Sequence, residues 1–219
     1  MFTKSIVIGL GCISLCALSS CTSSLSTTST SVKKTADKKV ANKSTAKVNA
    51  FTPSPASAET ISKSAALPKD KHGMPTYDKL TDRTRYVRMT AYSHMEMEPG
   101  APGRMNASGT ILKYGAVRSA AADWSVYPLG TVFQVKGLPH TYVVDDYGSA
   151  LVGTNTIDIF KPSLGQMNRW GTRKSEITVI QWGSFARSLN LLKGRKSYAH
   201  CRKMYYGCKS KLGDAYVAN

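Results

Sequence analysis

The segment Val143-Val-Asp-Asp-Tyr-Gly-Ser-Ala-Leu-Val-Gly-Thr-Asn-Thr-Ile-Asp-Ile-Phe160 contains two β-rich runs that flank a turn with Gly and Asn, and it is the most informative part of the chain. It places Asp146 and Asp158 12 residues apart, and this spacing can bring both carboxylates into one cleft. Carboxylates that share a partly desolvated site raise one another's pKa, and a carboxyl group still protonated near neutral pH can act as a general acid. The stretch therefore predicts an acid–base site.

The first half of the region from about Tyr77 to Asn219 consists of short β-runs separated by Gly and Pro. One helix is predicted among them over Leu164–Trp170, with Gly171 as its stop. Many short strands with one interposed helix favour a small closed barrel over a helical bundle or a parallel α/β sheet. The predicted strands are Tyr86–Tyr92, Gly115–Ala120, Thr131–Val135, Thr141–Val144, Thr156–Ile159 and Ser175–Trp182.

Five short motifs occur in the order found in a known family. They are Thr90-Ala91-Tyr92, Ala107-Ser108-Gly109, Pro128-Leu129-Gly130-Thr131, Asp146-Tyr147-Gly148 with the residues to Gly153, and Ile157-Asp158-Ile159-Phe160. On these motifs, about residues 86–182 resemble the 3D domain, which is named for three aspartates. The family usually has Asp-Thr-Gly where this chain has Asp146-Tyr147-Gly148. The resemblance implies a mainly β fold, a small six-stranded double-psi β-barrel similar to the catalytic part of membrane-bound lytic transglycosylase A and of stationary-phase survival muralytic proteins.

The resemblance also implies an activity: lytic cleavage of peptidoglycan glycan strands between N-acetylmuramic acid and N-acetylglucosamine, with 1,6-anhydro products. Asp158 would be the catalytic acid and base, and Asp146 would keep the pKa of Asp158 raised and stabilise positive charge. No metal and no organic cofactor is expected. The residues expected to bind substrate or to support the site are Asp123, Tyr92, Ser108, Gly148 and Gly153. For Asp123, substrate contact and bracing of its loop by hydrogen bonds are equally weighted, whereas Asp145 is interpreted as turn chemistry.

Two other classes of protein stay open, because a fold alone does not separate binding from cutting. One is a non-catalytic barrel that binds peptidoglycan or a partner, and the other is a lipoprotein that tethers the envelope through its charge. The formal net charge is +17. No nucleic-acid recognition motif accompanies this charge and much of it lies in a Ser/Thr/Lys-rich segment, so we expect no nucleic-acid partner.

The first residues predict export. Residues 1–20 carry Lys4 and then an apolar run too short to span a bilayer permanently, and Leu18-Ser19-Ser20-Cys21 resembles the lipobox of bacterial lipoproteins. We expect cleavage before Cys21, a lipid on that cysteine, and a lipid-anchored protein in the cell envelope. Thr22 after the cysteine favours the outer membrane, facing the periplasm. Residues 21–76 are poor in large apolar side chains, and this composition predicts a disordered tether.

The remaining chain divides into a barrel domain, 77–183, and a basic C-terminal helical appendix, 184–219, interrupted near Gly194. Because an exported compartment is oxidising, we expect a disulfide between Cys201 and Cys208. One straight helix would hold them about 10 Å apart, so this pairing requires the helix to end before Tyr206-Gly207-Cys208. A metal site built from the same two cysteines and His200 lacks a fourth ligand and is disfavoured.

Overall fold

The computed structural model describes residues 52–96 and 103–213, which contain six strands and four α-helices. The strands are β1 (Thr84–Tyr92), β2 (Val117–Ala121), β3 (Val132–Val135), β4 (Thr141–Asp146), β5 (Thr156–Phe160) and β6 (Arg173–Gln181). The helices are α1 (Ala58–Ala65), α2 (Leu164–Trp170), α3 (Phe185–Lys193) and α4 (Ala199–Leu212), and short 3₁₀ turns occupy His94–Glu96 and Ser149–Leu151. All six predicted strands and the helix after the fifth are confirmed, with ends displaced by one or two residues.

The six strands close into one barrel. They pair in the order β1-β5-β2-β4-β3-β6, and β6 pairs again with β1. Two pairs are parallel, β1 with β5 and β2 with β4, whereas the other four are antiparallel. Closure leaves no strand of the sheet without two neighbours, which removes the open edge that would recruit another chain.

The barrel interior is filled by alternate residues of the strands, because successive side chains of a strand point to opposite faces. The interior residues are almost completely buried and, apart from Met89, are β-branched, aromatic or small: Val87, Met89, Ala120, Phe133, Val135, Tyr142, Val144, Ile157, Ile159, Ile177 and Val179. On β5 this alternation turns Ile157 and Ile159 inward. It therefore turns Asp158 towards the outer face.

The segment before the barrel departs from the sequence prediction. Residues 52–76 pack on the barrel and include α1, so the prediction of disorder up to residue 76 is wrong for this part; residues 21–51 lie outside the described residues. Ser57 caps α1 and bonds Glu176 of β6 through its hydroxyl (2.6 Å) and its amide (2.7 Å). Asp70 accepts the amide of Asn155 at 2.7 Å. These anchors are polar, which is why a composition poor in apolar residues conceals them.

Residues 184–213 of the C-terminal appendix are mainly helical, as predicted, and α3 ends at Lys193 with Gly194 as its C-cap. The predicted disulfide is wrong, however. Helix α4 continues through Gly207, so Cys201 and Cys208 stand about 10 Å apart along its axis, and both thiols are free and buried. A Cβ at Gly207 would lie 2.5 Å from the Cβ of Ser125. This glycine therefore lets α4 approach the loop after β2, and it does not end the helix.

Within residues 52–96 and 103–213, no helix combines the length and the apolar character needed to cross a membrane. The predicted signal peptide and Cys21 lie outside these residues.

Candidate active site

A β-bulge in β4 aims Asp146 at the outer face of the barrel. Ala120 lies opposite Val144 and Ala121 lies opposite Asp146, so Asp145 is an extra residue in the pairing. In a regular strand Asp146 would share the face of Val144, which is buried in the core. The extra residue interrupts the alternation and turns Asp146 to the face of Ala121.

Asp146 and Asp158 lie in one row across three neighbouring strands. Ala121 of β2 pairs with Asp146 on one side and with Asp158 on the other. Neighbouring strands are about 4.8 Å apart, so the two aspartate backbones are separated by about 10 Å. The small Ala121 side chain lies between them and lines a cleft of about 580 Å³. Its lining also includes Tyr92, Met105, Asn106, Ala107, Gly109, Tyr147, Gly148, Leu151 and Arg195.

Asp158 is the carboxyl group suited to exchange a proton. Burial is the main cause that raises its pKa to about 6, the negative charge of Glu96 adds to this, and a hydrogen bond from the Thr90 side chain and the charge of Arg88 oppose it. Its Oδ1 is buried and makes no hydrogen bond with any described residue. A carboxyl group with such a pKa and a vacant oxygen can both give and take a proton near neutral pH.

Asp146 is held in place instead. Its Oδ1 accepts the amides of Ala107 (3.0 Å) and Tyr147 (2.9 Å), and its Oδ2 accepts the Tyr92 hydroxyl at 3.1 Å. Burial raises the pKa of Asp146, and these three hydrogen bonds oppose the rise because they stabilise the charged form. Burial and the Asp146 charge raise the pKa of Tyr92, which keeps its phenol protonated and donating. Asp146 is thus a fixed carboxylate next to a proton-exchanging one.

Asp145 is not the solvated turn residue that the sequence suggested. It is buried, and its Oδ2 binds the Lys113 ammonium at 2.6 Å and accepts the Ser119 hydroxyl at 2.9 Å. Burial raises the pKa of Asp145, whereas the Lys113 and Ser119 contacts lower it. The side chain anchors the bulge that positions Asp146.

Asp123 braces loops and does not line the cleft. Its Oδ1 accepts the amide (2.9 Å) and hydroxyl (2.6 Å) of Ser125, and its Oδ2 accepts the Gly153 amide at 2.7 Å. Gly153 has φ +79°, a conformation that favours glycine. Asp123 was expected either to contact substrate or to brace its loop, and these hydrogen bonds brace the loop.

Of the remaining predicted residues, Tyr92 and Gly148 line the cleft, and Ser108 lies beside it. The Ser108 hydroxyl binds Asn106 Oδ1 at 2.8 Å, and its amide binds the Asp145 carbonyl at 3.1 Å. Ser108 therefore holds the loop that presents the Ala107 amide to Asp146.

Two contributors to the cleft escaped the sequence analysis. The first is the Ala107 amide, a backbone group that carries no sequence signal. The second is Arg195, from the segment between α3 and α4, whose Nη1 donates to the Ala107 carbonyl (2.9 Å) and the Tyr147 hydroxyl (3.3 Å). The sequence shows Arg195 only as part of a basic run. Tyr147, which replaces the family's usual Thr, forms the surface that receives it.

No group of three His, Cys, Asp or Glu side chains among the described residues could hold a metal ion. Proton transfer and electrostatic stabilisation by the two aspartates are the chemistry that this cleft offers.

Part of the chain is similar to a known domain family and to solved structures. Residues 118–182 match the family model of the 3D domain, which confirms the resemblance. The chain is also similar to two structures of the lytic transglycosylase MltA from Escherichia coli, one described as revealing a unique lytic transglycosylase fold and one an apo form of a variant. Each is 23% identical over 40% of this chain and 30% of that chain, with TM-scores of 0.31 and 0.30 respectively. No curated protein sequence matches the chain.

Proposed function

We propose that this protein is a lytic transglycosylase-like enzyme that cleaves peptidoglycan between N-acetylmuramic acid and N-acetylglucosamine and forms 1,6-anhydro products. The observation that carries the proposal is the pair of unlike carboxyls in one cleft. Asp158 has a pKa of about 6 and an Oδ1 atom that accepts no hydrogen bond from the described residues, and Asp146 is fixed by three hydrogen bonds. The 3D domain match supports the same reaction class, since the family resemblance implies it.

This reaction needs a single acid and base, because the substrate supplies its own nucleophile. Asp158 gives its proton to the glycosidic oxygen as the bond to the muramic anomeric carbon breaks. The Asp158 carboxylate then takes the proton of the muramic 6-hydroxyl as that oxygen bonds to the anomeric carbon, so no water is consumed. The Asp146 carboxylate stabilises the positive charge that develops between the two steps. With a pKa of about 6, roughly one Asp158 in ten is protonated at pH 7.

The proposal extends to the finer features of the chain. We infer that the barrel is of the double-psi type, which its two parallel pairs support. We also infer that residues 1–20 are a signal peptide and that a lipid on Cys21 anchors the protein in the envelope, facing the periplasm, where peptidoglycan is accessible. The lipobox-like Leu18-Ser19-Ser20-Cys21 supports this placement.

The activity is tested by incubating purified full-length protein with purified peptidoglycan and analysing the released material by mass spectrometry. We expect muropeptides that end in 1,6-anhydro-muramic acid. Products with reducing ends would contradict the lytic reaction and indicate hydrolysis. Binding of glycan without any product would move the protein to the class of non-catalytic peptidoglycan-binding barrels.

The anchor is tested separately by detergent phase partitioning. Wild-type protein should enter the detergent phase and Cys21→Ala should not. A Cys21→Ala variant that still partitions into detergent would contradict lipidation at this residue.

A further inference from the structure

One end of the barrel gathers positive charge. Arg118 lies near the start of β2, Arg173 begins β6, and Lys161 directly follows β5. Because Ala120 pairs with Ile159 in an antiparallel register, Arg118 and Lys161 come opposite one another two residues further along. Arg118 shares the inward face of Ala120, and Arg173 shares that of Ile177. All three cations therefore meet at the mouth of the barrel interior.

Lys161 is the most enclosed of the three, with 1% of its surface exposed. Its ammonium lies 4.7 Å from the centre of the Trp170 ring and 5.9 Å from that of Tyr114. The Arg118 guanidinium lies over the same Tyr114 ring at 4.1 Å, and that of Arg173 lies over the same Trp170 ring at 4.3 Å. Two aromatic rings thus hold three cations close together.

Within residues 52–96 and 103–213, no carboxylate forms an ion pair with Lys161. Burial, and then the charges of Arg118 and Arg173, lower the pKa of Lys161 to about 8, and no acidic residue is among the causes. A buried ammonium is normally paired, because desolvation of an isolated charge is costly. The group that would pair with the Lys161 ammonium is therefore an anion.

Two polar atoms at this end also lack partners within the described part of the chain. Trp170 is 3% exposed and its Nε1 makes no hydrogen bond, and the same holds for the buried hydroxyl of Ser175, two residues after Arg173. An indole N–H can only donate, and the ammonium and guanidinium beside it offer no lone pair. Cation–π contact accounts for the position of Lys161 but leaves the Trp170 N–H without an acceptor. An anion with several oxygens would supply both the acceptor and the charge.

We propose that this end of the barrel is a binding site for a small oxyanion, a phosphate or a carboxylate group, bound by Lys161 and Arg118 with the Trp170 N–H as a further donor. Arg173 contributes its charge, since its Nε already donates to the Trp170 carbonyl at 3.0 Å. The site is distinct from the cleft of Asp146 and Asp158, which lies on the outer face of the barrel. It does not depend on the proposed glycan-cleaving activity.

The test follows the indole N–H signals of the full-length protein by ¹H–¹⁵N NMR. The chain has three tryptophans, and a Trp170→Phe spectrum assigns the signal of interest. Inorganic phosphate and acetate are titrated separately in a buffer without either, with chloride at matched ionic strength as the reference. We expect a saturable shift of the Trp170 signal with at least one oxyanion and no saturable shift of Trp124 or Trp182. Saturation by phosphate alone would assign a phosphate group, and saturation by acetate alone a carboxylate.

Lys161→Met should weaken this binding at least tenfold. Lys174→Met is the matched control, because Lys174 is the exposed neighbour of Arg173 on β6 and should bind the anion like the wild type. Arg118→Gln serves as a second variant if Lys161→Met does not fold, as judged from the Trp124 and Trp182 signals. The proposal is overturned if neither oxyanion gives a saturable shift, if chloride reproduces the shift, or if the folded Lys161 or Arg118 variant binds as tightly as the wild type.

Discussion

Two sites of opposite charge lie three residues apart along one part of the chain, Asp158 within β5 and Lys161 directly after it. Burial drives both groups towards neutrality, raising the pKa of Asp158 to about 6 and lowering that of Lys161 to about 8. Their surroundings differ: in the cleft three hydrogen-bond donors hold the neighbouring Asp146 carboxylate, whereas at the barrel end two guanidinium groups lie near the ammonium. Strand alternation keeps the two groups on opposite faces, so they do not neutralise one another. Burial makes each group reactive, and its neighbours determine what it can bind.

The largest expected effect is on turnover. Asp158→Asn keeps the shape of the side chain and removes proton exchange, so release of anhydro products should fall by about 10²–10⁴-fold while glycan binding is retained. Asp78→Asn is the control, because the Asp78 side chain is 88% exposed and far from the cleft in sequence. Full activity in a folded Asp158→Asn protein would remove Asp158 from the reaction.

The same substitution should make the protein more stable at neutral pH. The folded pKa of Asp158, about 6, exceeds the ordinary value of 3.8, so the wild type loses stability as pH rises from about 4 to 6. Asn cannot ionise, and at pH 7 the variant should gain up to about 3 kcal/mol in the free energy of unfolding. Urea unfolding at pH 4 and pH 7 measures the difference. An equal difference at both pH values would show that ionisation of Asp158 is not its cause.

Lys161→Met should show the opposite dependence on pH. The folded pKa of Lys161, about 8, lies below the ordinary 10.5, so its cost is fully present below about pH 8 and is relieved as pH rises towards 10.5. In a buffer without oxyanions the variant should exceed the wild type at pH 7 by up to about 3 kcal/mol and lose this advantage above pH 10. Urea unfolding across that range measures it. A variant that is less stable than the wild type at pH 7 would mean that the ammonium has a partner which the barrel end does not reveal.

The smallest effect should come from the anchor of the bulge. Asp145→Ala leaves the buried Ser119 hydroxyl without its acceptor, which should lower the free energy of unfolding by about 1 kcal/mol. Turnover should fall less than tenfold, because backbone pairing retains the bulge. Glu59→Ala, which removes an exposed ion pair on α1, should leave unfolding unchanged. A loss of turnover as large as that of Asp158→Asn would show that Asp145 takes part in the reaction and does not only anchor the bulge.

Most of the fold could be predicted from local sequence patterns. The strands and α2 were predictable because side-chain alternation, Gly and Pro punctuation and residues that start and stop a helix are local signals. The cleft was predictable in its aspartates but not in the bulge, because an extra residue in one strand is defined only relative to the strand beside it. Arg195 and the Ala107 amide were missed for the same reason, since their roles exist only through contacts distant in sequence.

The errors also have physical causes. Residues 52–76 were expected to be disordered because they bury little apolar surface, yet Ser57 and Asp70 fix them through hydrogen bonds to Glu176 and Asn155. The disulfide was expected because the predicted compartment is oxidising, and it required a helix end before Tyr206-Gly207-Cys208, whereas α4 continues through Gly207. A glycine selected for close approach and a glycine selected for a turn look identical in a sequence.

Strand β1 pairs with both β5 and β6, and this limits where the barrel can be cut into separate segments. The family match covers residues 118–182, which contain Asp146 and Asp158 but not β1, the Ala107 loop or Arg195. Excised alone, that segment would deprive β5 and β6 of their pairing with β1 and Asp146 of its Tyr92 and Ala107 donors. The smallest segment that can be transferred with this site intact is therefore larger than the family match, and gene fusions or domain swaps must include the sequence on both sides of it.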